Sequence, residues 1–310
     1  MFYFLDENFY IWRCDNKIVS MANYRVIDDQ AKISHVYTPE DERRKGYIAW
    51  QNHAFSLGYT AVAEAAAIEN ELTHVCSSYS ELVDAGIWKL RTYAAYMVQP
   101  SRSNWKKQIS HIKECKRRFD SEYFNIYGVK LFEDGVVEAH TAWMLDDYDD
   151  RPGNKGKPII TNKDQLIKVI SRINRNDLPV HVHSIGDAAT KFVVDAIEQS
   201  QKKTGIKNAR NTIAHLEIVD KKDFARIGKN HIIACVAPLW CPSVGQYIKT
   251  EIGFIGKERS KRLFPVKSFI NAKALTVFHS DYPSSPSAAI PETIFRAVTR
   301  YGSSYGPSSI

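Results

Sequence analysis

Four side chains that suit a divalent cation stand at the ends of strand-like runs of β-branched and aromatic residues. Lys130 ends one run, His183 the next, His215 the one after it, and Asp281 ends the last. The carboxyl ends of parallel strands meet at one face of a barrel, where such folds place their active sites. Imidazole and carboxylate groups suit zinc, iron or manganese. A metal held there lowers the pKa of bound water to about 7 and so supplies hydroxide at neutral pH.

Lys130 needs a separate explanation, because a protonated ammonium group repels a cation. It can serve as a ligand only when it is neutral or chemically modified, for instance as a carbamate that presents two oxygens. The alternative is a buried ion pair with Glu133 or Asp134, which follow it closely. A single histidine at a strand end is usually a core or loop residue, but four coincident positions favour a metal site.

The elements that position these side chains are predicted from an alternation of short apolar runs with amphipathic stretches of helical length. Seven strands are predicted, at 59–66, 90–97, 124–132, 179–184, 211–217, 232–238 and 274–281. Helices are predicted at 39–58, 70–86, 103–118, 163–175, 187–203, 220–228, 260–271 and 291–300. Several of them open at a residue suited to capping, namely Asn162, Asp187 and Asp220.

This order predicts an α/β fold, a (β/α)8 barrel of the TIM type in which strands two to eight are recognisable. Because the helix at 39–58 precedes the first predicted strand, we expect the first barrel strand to lie outside this sequence. Residues 1–38 are expected to form an N-terminal segment that either fills the gap in the barrel or lies over its top as an insertion. The barrel itself is expected over 39–301, with a long loop at 133–161 and a C-terminal tail at 302–310.

Four strings resemble successive strand ends of the amidohydrolase superfamily: VKLFEDG (129–135), HSIGDAA (183–189), IAHLEIVDKKDFARIG (213–228) and FHSDYP (278–283). The sequence is most similar to the branch that contains YtcJ-like proteins and N-substituted formamide deformylases. The similarity runs over roughly 35–300, in order and with suitable spacing. It implies a hydrolase of carbon–nitrogen bonds in non-peptide amides, formamides or cyclic amides. It also implies a metal-activated water and one or two divalent ions, zinc foremost.

The resemblance further implies a role for each candidate ligand. Lys130 matches the bridging lysine that is carboxylated in binuclear members, and His183 and His215 match the metal histidines of the fifth and sixth strands. Asp281 matches the metal-site aspartate of the eighth strand. In such enzymes that aspartate takes a proton from the attacking water and passes it to the leaving amine, while the metal polarises the carbonyl oxygen of the substrate.

The largest departure from the family pattern concerns the first-strand H-x-H pair of metal ligands, which has no counterpart before 39–58. His181 and His183 share that spacing, but they follow three predicted strands and their string matches the fifth-strand motif. His181 is therefore expected to fill the barrel interior, with an additional ligand as the alternative. The absent pair leaves a second hypothesis open, namely a catalytically impaired or inactive amidohydrolase-like protein.

Three further residues are candidates for contact with the substrate. His279 stands where we expect glycine in the family, two residues before Asp281, and would orient that aspartate or simply fill space. Trp240 belongs to a string that resembles Gln-Pro-x-Trp, with Ala237 in the glutamine position, and is expected to form a pocket wall. His140 lies in the loop after VKLFEDG, where a substrate contact and a plain exposed position are both open.

Composition limits the class of protein. The 310 residues are 44% hydrophobic and 25% charged, which is typical of a soluble globular enzyme. Five widely spaced cysteines form no C-x-x-C pair, and no secretory signal or membrane span is evident, so a cytoplasmic protein is expected. The net charge of +7 raises nucleic acid as a partner, but no nucleic-acid-binding motif accompanies it. A small-molecule substrate is expected instead.

Overall fold

The structure is a computed structural model of the chain. It describes residues 2–6, 9–14, 17–27, 30–37, 40–67, 72–241, 252–282, 284–285, 287–302 and 305–307. The strands are β1 Phe2–Asp6, β2 Phe9–Cys14, β3 Lys17–Ile27, β4 Gln30–Tyr37, β5 Ala61–Ala67, β6 Arg91–Met97, β7 Phe124–Phe132, β8 Val180–Ser184, β9 Thr212–His215, β10 Ile233–Val236, β11 Thr276–Phe278, β12 Tyr301–Gly302 and β13 Tyr305–Pro307. The principal helices are α1 Glu40–Ser56, α2 Leu72–Asp84, α3 Trp105–Phe119, α4 Lys163–Asn174, α5 Asp187–Thr204, α6 Lys221–Lys229, α7 Lys257–Ser260, α8 Val266–Asn271 and α9 Ile290–Thr299.

Strands β5 to β11 form one sheet in which the order in space is the order in sequence. All neighbouring pairs in this sheet are parallel, and helices alternate with the strands. The seven predicted strands are therefore all present, although the last is shortened from 274–281 to 276–278.

The centre of this sheet is its most deeply buried part. Every residue of β8 and β9 is buried, because helices cover the outer face of the sheet. Helix α4 contributes Leu166, Val169, Ile170 and Ile173, which are all 0% exposed. Their spacing of three and four residues places them on one side of a helix. Burial of this apolar face fixes the strands that carry the candidate ligands.

The described strands do not close the sheet into a complete barrel. Among them, β5 pairs only with β6 and β11 pairs only with β10, so each leaves one edge unpaired. A closed barrel has no such edges. The seven curled parallel strands and their helices form part of a (β/α)8 barrel, as the sequence predicted for strands two to eight.

The N-terminal strands β1 to β4 form a separate antiparallel sheet in sequential order. Hydrogen-bonded pairing joins β1 to β2, β2 to β3 and β3 to β4. Pairing of this segment with an edge of the seven-stranded sheet, which would fill the gap in the barrel, is not seen among the described strands. At the other end of the chain, β12 and β13 form a short antiparallel pair.

Capping side chains fix the starts of two helices. The Oδ1 atom of Asn162 accepts a hydrogen bond from a backbone N–H of α4 at 3.0 Å, and that of Asp220 does the same in α6 at 2.8 Å. Asp187 departs from its predicted capping role, because Gly186 is the cap and Asp187 is already helical. Its carboxylate accepts instead from the backbone N–H of Leu145, 2.8 Å away in the long loop. No described helix is both long and apolar enough to cross a membrane.

The long loop at 133–161 is held to the segment that contains α7. Arg259 donates to a carboxylate oxygen of Asp149 at 2.9 Å and to the backbone oxygen of Asp146 at 3.2 Å. The backbone N–H of Asp149 donates to the carbonyl oxygen of Phe254 at 2.7 Å. These contacts give a polar stretch without regular secondary structure a defined position beside the end of β7.

Candidate metal centre

The four predicted ligands come from the carboxyl-terminal ends of four strands of the seven-stranded sheet, of which β7, β8 and β9 are neighbours. Lys130 lies in β7, His183 in β8 and His215 at the end of β9, while Asp281 follows β11. Across β7 and β8, Lys130 is level with His181 and not with His183. The lysine therefore lies one inward-facing position below the histidine on the next strand.

Three imidazole rings, those of His183, His215 and His279, form a cluster that we call the histidine cluster. The ring centroids of His183 and His215 are 4.4 Å apart, and those of His215 and His279 are 5.0 Å apart. The ring of Trp240 stacks on that of His215, with centroids 5.0 Å apart and an angle of 10° between the planes. The fold thus brings two predicted metal ligands together with two residues predicted to contact the substrate.

Burial keeps these imidazoles neutral. It lowers the pKa of His183 to about 4, against a smaller opposing effect of the hydrogen bond to Gly135. It lowers the pKa of His279 to about 3, and nearby positive groups add to the shift. For His215 burial also lowers the pKa well below the ordinary value, with further contributions from the other two rings of the cluster. Neutral imidazole is the form that binds metals.

The ring nitrogens of the cluster differ in their partners. Nε2 of His183 lies 3.0 Å from the carbonyl oxygen of Gly135. A carbonyl can only accept, so Nε2 carries the proton and Nδ1 carries the lone pair. Nδ1 of His215 and Nε2 of His279 are buried and have no hydrogen-bond partner among the described residues. A buried polar atom left unpaired costs about 1–3 kcal/mol, and a bound cation would satisfy both atoms.

Lys130 and Asp281 influence each other electrostatically. Lys130 is 3% exposed, and burial lowers its pKa to about 8 although the charge of Asp281 acts in the opposite direction. Burial raises the pKa of Asp281, and the charge of Lys130 opposes that shift. Within the described part of the chain, Lys130 forms no ion pair within 4.0 Å with Glu133 or Asp134. The ion pair considered as the alternative role of Lys130 is therefore not formed.

These observations allow a test of whether a divalent cation fits the site. Two adjacent neutral imidazoles with unpartnered buried nitrogens, and the carboxylate of Asp281 at another strand end, are donors that zinc, iron and manganese accept. The residues therefore fit such an ion in kind. Among the described residues, however, no three histidine, cysteine, aspartate or glutamate side chains are gathered around one point. The described residues supply part of a coordination shell and not a complete one.

The backbone is strained at the strand ends that carry these groups. His215 and Leu216 have φ angles of 77° and 52°, and Asp281 has a φ of 51°. The left-handed region costs a residue other than glycine roughly 1–2 kcal/mol. Such strain concentrates at functional sites, where the surrounding structure holds it in place. At His215 it turns the chain sharply at the point where the strand ends.

His181 occupies the interior position expected for it. It is 8% exposed, and its Nδ1 lies 3.0 Å from the hydroxyl of Tyr127 on β7. This hydrogen bond satisfies a buried ring nitrogen without a metal. The role of His181 as an additional ligand stays a prediction.

The two remaining candidates for substrate contact lie in different surroundings. Trp240 is partly buried against His215, and its Nε1 donates to the hydroxyl of Ser285 at 2.9 Å. His140 is buried in the long loop, where its Nε2 lies 2.8 Å from a carboxylate oxygen of Asp150 and its ring packs against Phe254. Trp240 therefore belongs to the surroundings of the histidine cluster, whereas the contacts of His140 lie within the loop and its neighbours. Substrate contact by either residue stays a prediction.

Asp134 was considered from sequence only as a partner for Lys130, but the structure places it against His183. Its carboxylate accepts hydrogen bonds from the backbone N–H groups of Trp143 at 3.0 Å, Ile185 at 3.0 Å and Gly186 at 2.8 Å. One of its oxygens lies 3.6 Å from Nε2 of His183. Burial raises the pKa of Asp134 to about 7, and the backbone donors oppose that shift. The aspartate in VKLFEDG was a signal that a buried polar partner was present.

Comparison with known proteins identifies the family. Residues 20–305 match the model of the Amidohydrolase family. The chain is 24% identical over 250 residues to the protein LONG AFTER FAR-RED 3 of Arabidopsis thaliana, covering 78% of this chain and 41% of that protein. It is 27% identical over 173 residues to YtcJ of Bacillus subtilis, covering 56% of this chain and 31% of that protein.

A solved structure shows the same fold. An uncharacterized metal-dependent hydrolase from Pyrococcus furiosus superposes with a TM-score of 0.68 at 25% identity, over 84% of this chain and 51% of that one. The chain thus spans less than half the length of these two curated relatives and about half the length of this structural one. The family match extends over most of the chain and agrees with the strand order and with the strings at the strand ends. The chain belongs to the amidohydrolase family.

Proposed function

We propose that the chain contributes the metal site of a hydrolase that cleaves a carbon–nitrogen bond in a small-molecule amide, formamide or cyclic amide. The observation that carries the proposal is the pair of neutral imidazoles of His183 and His215, whose ring centroids are 4.4 Å apart at adjacent strand ends. Membership of the amidohydrolase family and the similarity to a metal-dependent hydrolase from Pyrococcus furiosus support it.

The residues that would hold a divalent ion, zinc foremost, are His183, His215, Asp281 and Lys130. Such an ion would lower the pKa of water and polarise the substrate carbonyl. The lone pair on Nδ1 of His183 is available because the carbonyl of Gly135 fixes the proton on Nε2. A backbone acceptor behind a ligating histidine is a common feature of metal sites, since it fixes both the tautomer and the orientation of the ring.

Lys130 is suited to carbamate formation. Its lowered pKa of about 8 increases the fraction of neutral amine at neutral pH. A neutral Nζ attacks carbon dioxide, a new nitrogen–carbon bond forms, and one proton is released. The carbamate then replaces a buried positive charge by a negative one that can bind a cation.

Asp281 is suited to move the proton in the hydrolysis. Its carboxylate takes a proton from water as the water oxygen bonds to the amide carbon. It returns that proton to the amide nitrogen as the carbon–nitrogen bond breaks, which leaves a carboxylic acid and an amine. Its raised pKa favours the acceptance step. Trp240 would form a wall beside this carbon.

A second candidate function is a binding protein that has little or no turnover. Two observations favour it: β5 and β11 each have an unpaired edge, and no three histidine, cysteine or carboxylate ligands converge among the described residues. In that case the histidine cluster would bind a ligand without activating water.

The two functions are separated by assaying the purified chain with added Zn2+ against a panel of N-formyl amines and cyclic amides. We expect hydrolysis that chelators abolish and that the Asp281→Asn variant lowers roughly 100-fold or more, the range expected for loss of a general base. The matched control is Asp84→Asn, which changes an exposed carboxylate at the end of α2. Absence of metal-dependent hydrolysis across the panel, or full activity of Asp281→Asn, would contradict the proposed hydrolase.

A further inference from the structure

His279 occupies a position that the sequence assigned to substrate contact, yet its surroundings are those of the predicted ligands. Its backbone N–H donates to the carbonyl oxygen of Val236 at 3.0 Å, which extends the pairing of β11 with β10 by one residue. Val236 is level with His215 across the next pair of strands. The backbone therefore fixes His279 close to His215 although 64 residues separate them in sequence.

We propose that His279 is a metal ligand and completes a three-imidazole site with His183 and His215. This inference rests on the proposed metal-dependent function and adds a ligand to its site. An ion about 2.0–2.1 Å from each ligating nitrogen lies roughly 3 Å from the centre of each ring. Two rings around a tetrahedral ion therefore have centroids about 5 Å apart. The centroid distances of 4.4 Å between His183 and His215 and of 5.0 Å between His215 and His279 agree with this spacing. Among the described residues, the rings of His183 and His279 are not in contact with each other, so these two must approach before one ion can bind all three.

The unpartnered nitrogens of the cluster support the same conclusion. Nδ1 of His215 and Nε2 of His279 are buried without a hydrogen-bond partner among the described residues, and Nδ1 of His183 keeps its lone pair. Each of the three rings thus offers one nitrogen to a cation. His181 differs, because its Nδ1 is paired with the hydroxyl of Tyr127.

Closure of the site requires a rearrangement of the rings. The plane of His279 stands at 77° to that of His215, and no three such ligands meet at one point among the described residues. No hydrogen bond holds Nε2 of His279 in place. Rotation of the ring toward the other two would therefore break no hydrogen bond at Nε2.

The test measures metal affinity and does not depend on turnover. The purified chain and its variants are titrated with Zn2+ in a calorimeter and with Co2+ under visible absorption, which reports the number and type of ligands. The variants are His279→Phe, which keeps a ring against His215 and Trp240, and His279→Gly, which removes the ring. The control is His111→Gln, which changes a histidine of α3 that contacts Thr73 and lies outside the site.

We expect the original chain to bind one Co2+ with a spectrum typical of nitrogen ligation. Loss of an outer-shell partner of a metal ligand lowers metal affinity by ~10–100-fold. Both His279 variants should lose more affinity than this, and the Co2+ spectrum should change. His111→Gln should bind within about twofold of the original chain. Folding of each variant is checked by near-UV circular dichroism. If both His279 variants are folded and only one of them loses affinity for the metal, the proposal is contradicted.

Three results would overturn the three-imidazole site. They are unchanged affinity and spectrum in His279→Phe, a loss in His111→Gln as large as in the His279 variants, and no binding by the original chain. Metal-dependent hydrolysis retained together with unchanged affinity in His279→Phe would refute only the role of His279. Absence of hydrolysis by the original chain across the whole substrate panel, together with weaker Co2+ binding by the His279 variants, would refute only the proposed hydrolase.

Discussion

The buried lysine of the site should lower the stability of the protein at neutral pH. The pKa of Lys130 falls from 10.5 to about 8, chiefly through burial. That difference of about 2.5 pH units, at ~1.36 kcal/mol for each, corresponds to about 3 kcal/mol. Between pH 8 and 10.5 the unfolded chain holds a proton that the folded chain has released, so the free energy of unfolding rises with pH in that window. Below pH 8 the full cost of the buried charge is present.

Replacement of Lys130 by Met removes the charge and keeps the length of the side chain. We expect Lys130→Met to raise the free energy of unfolding by about 3 kcal/mol at pH 7, with an advantage that shrinks toward zero by pH 10.5. Urea unfolding in buffers free of carbon dioxide and metal, at several pH values from 7 to 10.5, measures this difference. Lys168→Met, which changes an exposed lysine of α4, is the control. Parallel curves of stability against pH for Lys130→Met and the original chain would refute the reasoning.

Three further changes have defined outcomes in urea unfolding. Asp134→Asn removes acceptor capacity from buried backbone N–H groups and should cost about 1–3 kcal/mol; a change below ~0.5 kcal/mol would contradict that role. In Asp195 burial raises the pKa, but hydrogen bonds from two lysines and an arginine outweigh it and hold the pKa below its ordinary 3.8. Asp195→Asn should therefore cost about 1 kcal/mol at pH 7, and the difference should vanish as the pH falls below ~3.8. Gly228→Ala should lose about 1–3 kcal/mol despite the better helix propensity of alanine, because its Cβ would overlap the carbonyl of Ala272; a gain in stability would contradict this.

The central part of the parallel sheet was predictable because β8, β9 and β10 are buried on both faces and therefore appear as continuous apolar runs. The strand predicted at 124–132 matches β7 in both bounds. The last strand was predicted too long, since 274–281 includes the polar residues His279 and Asp281 that lie beyond regular pairing. The N-terminal segment showed strand-like composition without a clear period, and its four antiparallel strands were not separately predictable.

The candidate site was predictable in its strand-end positions but not in its contacts. The alternation of predicted strands and helices placed Lys130, His183 and His215 near the carboxyl ends of successive strands. In a parallel barrel these ends meet at one face, so the three residues were expected there. The approach of His279 to His215 depends on how β9, β10 and β11 are aligned, and that alignment is set by pairing between distant segments. The hydrogen bonds of Asp134 depend on loop geometry, which has no periodic signal in sequence.

The position of β11 at the end of the sheet gives the two sides of the site different local stabilities. The strand is three residues long, bonds to one neighbour among the described strands, and leaves Val277 and Phe278 38% and 40% exposed. Few contacts must break for it to detach, so it should open at a free energy well below that of global unfolding. Lys130 and His183, in contrast, lie on strands that are paired on both sides, so more contacts must break before they open. Detachment of β11 would carry His279 and Asp281, which follow it, away from Lys130 and His183. In the proposed hydrolase, that opening would give the product a route out while the rest of the fold stays intact.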